Sequence, residues 1–173
     1  QGEVVVPSSV AYGGTTYPVT AIGVFAFQRC SGITSVVLPA TITHIKDYSF
    51  DGCSGLDTIN FPDSLTYIGH NAFKNCTSLK SLNLTNFKTP ELQNMNDMFS
   101  GCSSLKGLEL NSFDTSLVND MTSLFKGCFS LPFLNISNFK TPKVKSMNSI
   151  FMLCIRLVSL DISNFDTSSV TDM

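Results

Sequence analysis

Phe99-Ser100-Gly101-Cys102-Ser103-Ser104-Leu105-Lys106-Gly107-Leu108-Glu109-Leu110 decides the fold, because its register F-x-x-C-x-x-L-x-x-L-x-L returns six times in 173 residues. The cysteines stand at 30, 53, 76, 102, 128 and 154, spaced by 23, 23, 26, 26 and 26 residues. Three residues before each is Phe27, Phe50, Phe73, Phe99, Phe125 or Phe151. Three after come Ile33, Leu56, Leu79, Leu105, Leu131 and Leu157. Six after come Val36, Ile59, Leu82, Leu108, Leu134 and Leu160, and eight after come Leu38, Phe61, Leu84, Leu110, Ile136 and Ile162. A fixed period of about 20 to 50 residues is the mark of a repeat array.

The L-x-x-L-x-L half reads as a short strand whose alternate residues point inward. No single repeat can bury its apolar side, so stacking must do it, lining up equivalent residues in ladders and pairing the strands in one parallel sheet. Two kinds of unit share the chain. Residues 30–84 use the 23-residue unit, in which Pro39 and Pro62 mark the exit from the strand, since proline cannot donate to a ladder. Residues 85–173 use the 26-residue unit, with a second ladder Phe87, Phe113, Phe139 and Phe165 followed by Thr89, Thr115, Thr141 and Thr167. There Val118, Met121, Leu124 and Phe125 fall 0, 3, 6 and 7 apart, the spacing of one helix face. Asn94, Asp120, Ser146 and Asp172 stand where N-caps would. A helical turn is therefore expected in each long unit and a tighter or 3-10 turn in each short one.

Residues 1–29 differ from the rest. Gly13-Gly14 between Val10-Ala11-Tyr12 and Thr15-Thr16-Tyr17 is a two-residue hairpin signal. It is read as an N-terminal cap on the first repeat. Twenty-six residues beyond Phe151 and Cys154, the next Phe and Cys would fall at about 177 and 180, so a longer array is expected. The chain as a whole reads as one continuous solenoid over 1–173.

Composition narrows the function. Net charge is -2 with 14% charged residues, which leaves no basic stripe for nucleic acid. No apolar run reaches the ~18 residues of a membrane span, so no membrane insertion by this segment is expected. Gln1-Gly2-Glu3 lacks the basic start of a signal peptide. Metal sites want cysteines in close pairs, and none here are nearer than 23 residues. Parallel side chains in a stack do not aim at each other as a disulfide requires, so buried free thiols are the leading reading, with pairing left open. His44 and His70 occupy different places in their repeats, and His70 reads as a solvated side chain on a turn. No G-x-S-x-G or comparable motif supports catalysis, so neither an enzyme nor a cofactor is expected. Lys88, Asp114, Lys140 and Asp166 alternate in sign at one position, an expected exposed ion-pair ladder.

The 23-residue unit, as in Pro62-Asp63-Ser64-Leu65-Thr66-Tyr67-Ile68-Gly69-His70-Asn71-Ala72-Phe73-Lys74-Asn75-Cys76, resembles the leucine-rich repeat of BspA-like bacterial surface proteins. The 26-residue unit, with Phe113-Asp114-Thr115-Ser116 and Val118 through Cys128, is similar to a related surface-lipoprotein repeat, with Leu124 where that pattern has Met. The resemblance covers nearly the whole chain. It implies an α/β fold, a right-handed leucine-rich-repeat solenoid with a parallel sheet on the concave face and short helices or 3-10 turns on the convex one. It also implies a secreted or cell-surface adhesion module whose partner is a host matrix or cell-surface protein, with glycan as another possible ligand. It carries over no functional residues.

Binding is expected on the outward strand positions, which differ from repeat to repeat while the inward ones hardly change. From them come the candidate partner-binding residues Asp57, Lys80, Asn83, Lys106, Glu109, Phe133, Asn135 and Asp161. Phe133 stands out on a polar sheet, either as an aromatic of the type that anchors interfaces or as a ring packed sideways on a neighbour. Asn75-Cys76-Thr77, Asn83-Leu84-Thr85 and Asn135-Ile136-Ser137 match the glycosylation pattern and are read as incidental. The alternative function is an inert spacer in a longer surface protein.

Overall fold

The computed structural model describes residues 2–173; Gln1, part of the leader and cap readings, lies outside the described residues. The strand half of each repeat forms as its alternation dictates. β1 (Gly2–Val5), β5 (Ile33–Val37) and β7 (Thr58–Asn60) make a parallel sheet in the order β1-β5-β7, and β9 (Ser81–Asn83) pairs in parallel with β10 (Gly107–Glu109). The register aligns equivalent residues: Val36 with Ile59, Leu82 with Leu108. Phe133 and Ser159 continue this face as a single-residue bridge. A second parallel ladder runs through β4 (Ala21–Ile22), β6 (His44–Ile45) and β8 (Tyr67–Ile68). β2 (Ser9–Tyr12) and β3 (Thr15–Pro18) form an antiparallel hairpin across Gly13 and Gly14, exposed along both strands.

The core is a set of columns. Phe27, Phe50, Phe73, Phe99, Phe125 and Phe151 stack as near-parallel rings, with centroids 5.3 to 6.3 Å apart. Phe87, Phe113 and Phe139 form a second buried column. All six cysteines are free thiols, four of them buried. Each from Cys53 onward donates to the carbonyl of the Phe in the preceding repeat, for example Cys102 to Phe73 O at 3.1 Å and Cys128 to Phe99 O at 3.3 Å. The thiol is thus a polar rung as well as an apolar filler.

The expected short helices and 3-10 segments are not there; no helix occurs among the described residues. Two residues in every repeat, five and one before the cysteine, are left-handed: Asn71 and Asn75 at φ 56° and 57°, Asp97 and Gly101 at 52° and 75°. That conformation stops a right-handed helix. Alternate N–H groups then leave the turn. Phe99 N–H reaches Leu124 O at 3.1 Å and Gly101 N–H reaches Lys126 O at 2.7 Å, while Ser100 and Cys102 close three-residue turns on Asp97 and Phe99. Every junction repeats this pattern, so each repeat binds its successor through three turn N–H groups. Asn94, Asp120, Ser146 and Asp172, the expected N-caps, instead form bridges with one another. The side chains of Asn94, Asp120 and Ser146 do cap, but cap a turn: Asp120 Oδ1 accepts Thr122 N–H at 2.8 Å.

Burial pushes the five thiols from Cys53 to Cys154 up, Cys53 to about 12 from 9.0, with its neighbour Cys30 a smaller cause. A group raised on folding stabilises the fold fully below its unfolded value and less as pH climbs past it. Thermal stability should therefore decline from pH 9 upward. At pH 8, iodoacetamide should label exposed Cys30 well before the buried Cys102 in native protein, whereas denatured protein labels all six. Equal labelling rates for Cys30 and Cys102 in native protein would disprove the sealed column.

Candidate functional site

The sheet face carries the candidate residues. Asn83, Lys80, Lys106, Glu109, Phe133, Asn135 and Asp161 are exposed, and Asp57 is half-buried. They do not converge. Lys80 Nζ meets Asp57 Oδ2 at 2.8 Å beside Thr34 in one shallow cleft. Asn83 lines a separate groove with Asn60, Phe61, Asp63 and Asn86, between β7 and β9, which are not paired. Lys106 lines a third, with Pro132 and Arg156.

Several of these side chains are engaged by their own chain. Asn83 Oδ1 accepts both the N–H of Thr85 at 3.1 Å and its hydroxyl at 2.8 Å. Asn135 Oδ1 does the same with Ser137, at 3.2 and 2.9 Å. At these two sites the glycosylation-like pattern is thus a turn motif that ends the strand, as asparagine side chains favour. At the equivalent place Asp161 Oδ1 accepts Ser163 N–H, and the Ser163 hydroxyl and N–H hold its carboxyl below the usual carboxylate range. Phe133 is different. It is 64% exposed, yet its backbone is fixed by the bridge to Ser159.

The alternating charges Lys88, Asp114, Lys140 and Asp166 are all exposed, and among the described residues no ion pair links them. Asp114 and Asp166 turn instead to the N–H groups of Ser116 and Ser168. The connection at this position is made one residue on. Thr115, 1% exposed, donates to Lys140 O at 2.8 Å and accepts Lys140 N–H at 2.7 Å. Thr89 does the same with Asp114, and Thr141 with Asp166. The threonine column was visible in the sequence, but its role as a stand-in for a backbone rung was not. His70 is half-buried, its Nδ1 3.2 Å from Asp47 Oδ1 and its ring against Tyr48, so it is not a freely solvated side chain.

Sequence reading also missed two exposed side chains, Phe129 and Arg156. Phe129 is 40% exposed one residue after its cysteine, where earlier repeats carry Ser31, Ser54, Thr77 and Ser103. Arg156 lies in the cleft with Lys106. Reading the columns just outside the strand, as the strand columns were read, would have found both. No helix among the described residues is long and apolar enough to cross a membrane.

The chain is similar to the T. pallidum leucine rich repeat protein, at 32% identity over 90% of this chain and 67% of that one, with a TM-score of 0.67. It is similar to a leucine-rich repeat protein from Bacteroides ovatus, at 28% identity over 98% of this chain and 50% of that one, TM-score 0.58. A leucine rich cell surface protein from Faecalibacterium prausnitzii shares the fold at 24% identity, over 98% of this chain and 47% of that one, TM-score 0.58. The chain thus spans two thirds of the first protein's length and about half of the other two. A comparison with curated proteins finds no match. Residues 20–158 match the BspA type leucine rich repeat region in six copies, the number of Phe–Cys–Leu registers stacked in the structure, and the chain belongs to that family.

Proposed function

We propose that this chain is a protein-binding module of a secreted or cell-surface protein, and that it meets its ligand, a host matrix or cell-surface protein, with the outward face of the sheet. One observation carries the reading. Outward positions change chemistry from repeat to repeat and culminate in Phe133, a large aromatic left 64% exposed on a fixed backbone, whereas the columns beneath are uniform. Exposed aromatics on rigid elements are what interface centres are built from. The surface location draws on the family resemblance. The scaffold role draws on the repeat architecture, whose outward faces make extended binding surfaces.

The test is binding to a panel of immobilised matrix proteins and glycans, beside the variant Phe133→Ala/Lys106→Glu/Glu109→Lys. All three side chains are exposed, so the variant should fold. Saturable protein binding, weakened at least tenfold in the variant, is the expected result. Absence of binding by either protein would favour an inert spacer. Undiminished binding by the variant would place the site off the sheet face, and a preference for glycans would change the ligand class.

A further inference from the structure

Within that reading, one stretch of the sheet face differs from the rest. One and five residues after the cysteine, the first four repeats carry only small or polar residues: Ser31, Ser54, Thr77 and Ser103, then Ser35, Thr58, Ser81 and Gly107. In the fifth repeat these become Phe129 and Phe133, 40% and 64% exposed. The residue before Phe133 is Pro132. At three places on this face the residue four after the cysteine donates to its counterpart one repeat earlier: Asp57 N–H to Thr34 O at 2.9 Å, Lys106 N–H to Lys80 O at 2.8 Å and Val158 N–H to Pro132 O at 3.1 Å. Pro132 has no N–H, so the rung to Lys106 cannot form. The ladder stops between β10 and Phe133, and an open cleft of about 520 Å³ lies there, lined by Lys106, Ser130, Pro132, Arg156 and Val158.

Charge sets the occupant. The other lysine of this column, Lys80, is neutralised by Asp57. Among the described residues Lys106 and Arg156 have no ion-pair partner, and both line the cleft together with Ser130 and Pro132, the chain neighbours of the exposed Phe129 and Phe133. Two unpaired cations lining the cleft, with two exposed phenylalanines next in sequence to its other lining residues, are complementary to a segment that carries a carboxylate next to a large apolar side chain.

We propose that the cleft between β10 and Phe133 is a subsite for an acidic peptide segment of a partner protein. Phe133 and Phe129 receive an aliphatic or aromatic side chain, while Lys106 and Arg156 receive a carboxylate one or two residues away. This rests on the sheet-face reading and narrows it to one place and one ligand chemistry.

The test uses the folded chain against an array of twelve-residue synthetic peptides, in which Asp or Glu lies beside Leu or Phe, each paired with its Asn or Gln counterpart. Acidic peptides should bind at least tenfold more tightly than their amide twins, and the difference should shrink in 0.5 M salt. Phe133→Ser should weaken binding about thirtyfold, the effect of a 2 kcal/mol hot spot. Lys106→Glu/Arg156→Glu should invert the preference towards peptides bearing Lys or Arg, a gain that mere misfolding cannot produce. Equal binding of acid and amide peptides, or an unaltered preference in the double variant, overturns the subsite. Failure here with loss of matrix-protein binding in Lys80→Glu/Asn83→Ala would leave the sheet-face reading standing and move the site towards β9. Failure of both would remove the sheet face altogether.

Discussion

Phe99→Ala should lower the stability of this chain by about 3–5 kcal/mol, the range for emptying a phenylalanine site in a packed core. The ring is fully buried, and its neighbours cannot close the gap. Phe73 and Phe125 lie 6.3 and 6.2 Å away, tilted by 9° and 7°, and each is pinned by the backbone rungs of its own repeat. At about 2–4 °C per kcal/mol for a domain of this size, the melting temperature should fall by about 6–20 °C. The same truncation at Phe27, half-buried at the column's first position, should do less. A melting temperature unmoved by Phe99→Ala would mean the column is not what joins the repeats.

The second large effect should come from one oxygen atom. Thr115→Val keeps the side-chain shape and removes the hydroxyl that holds both the N–H and the C=O of Lys140. Among the described residues neither backbone group has another partner, and leaving a buried donor or acceptor unmade costs about 1–3 kcal/mol each. Partial access to water at exposed Lys140 reduces the sum, so about 2–4 kcal/mol is expected in chemical denaturation. Thr115→Ser should restore most of it. Amide exchange at Lys140 should quicken in the valine variant and not in the serine one. If valine and serine behave alike, the hydroxyl is not a rung.

Much of the core was legible because a repeat states each inward position several times. Leu56, Leu79, Leu105 and Leu131 are buried where the period places them, and the parallel registers of Val36 with Ile59 and of Leu82 with Leu108 follow from their common place six residues after a cysteine. The turns were misread for a physical reason. A three-residue turn brings a side chain back to the core every third residue, as a helix does. Leu124 N–H closes on Met121 O at 3.2 Å, so Val118, Met121, Leu124 and Phe125 are buried in a helix-like spacing without a helix. The left-handed positions were visible as Asn71, Asn75, Asp97, Gly52, Gly101 and Gly127. Tyr48, Ser123, Ser149 and Leu153 adopt the same conformation with residues that rarely do so, which hid the column. On the sheet face, spacing shows which way a residue points and not what occupies it. Asn83 and Asn135 share a column that faces outward, but their amide oxygens are already held by the next turn.

The turn N–H groups that tie each repeat to its successor all run one way. In an ordinary sheet, neighbouring peptide groups alternate in direction and their electric moments nearly cancel. Here Phe27, Phe50, Phe73, Phe99 and Phe125, with the left-handed residues on either side, all donate forward along the stack, and every accepting carbonyl belongs to the later repeat. The peptide moments along this edge therefore add, each polarising the next. This edge is electrically a row with a head and a tail, and each further repeat lengthens the row, whereas rungs elsewhere, such as Lys106 N–H to Lys80 O, run the other way. A carboxylate set ahead of that row is held more firmly than one set behind it, as at the two ends of a helix.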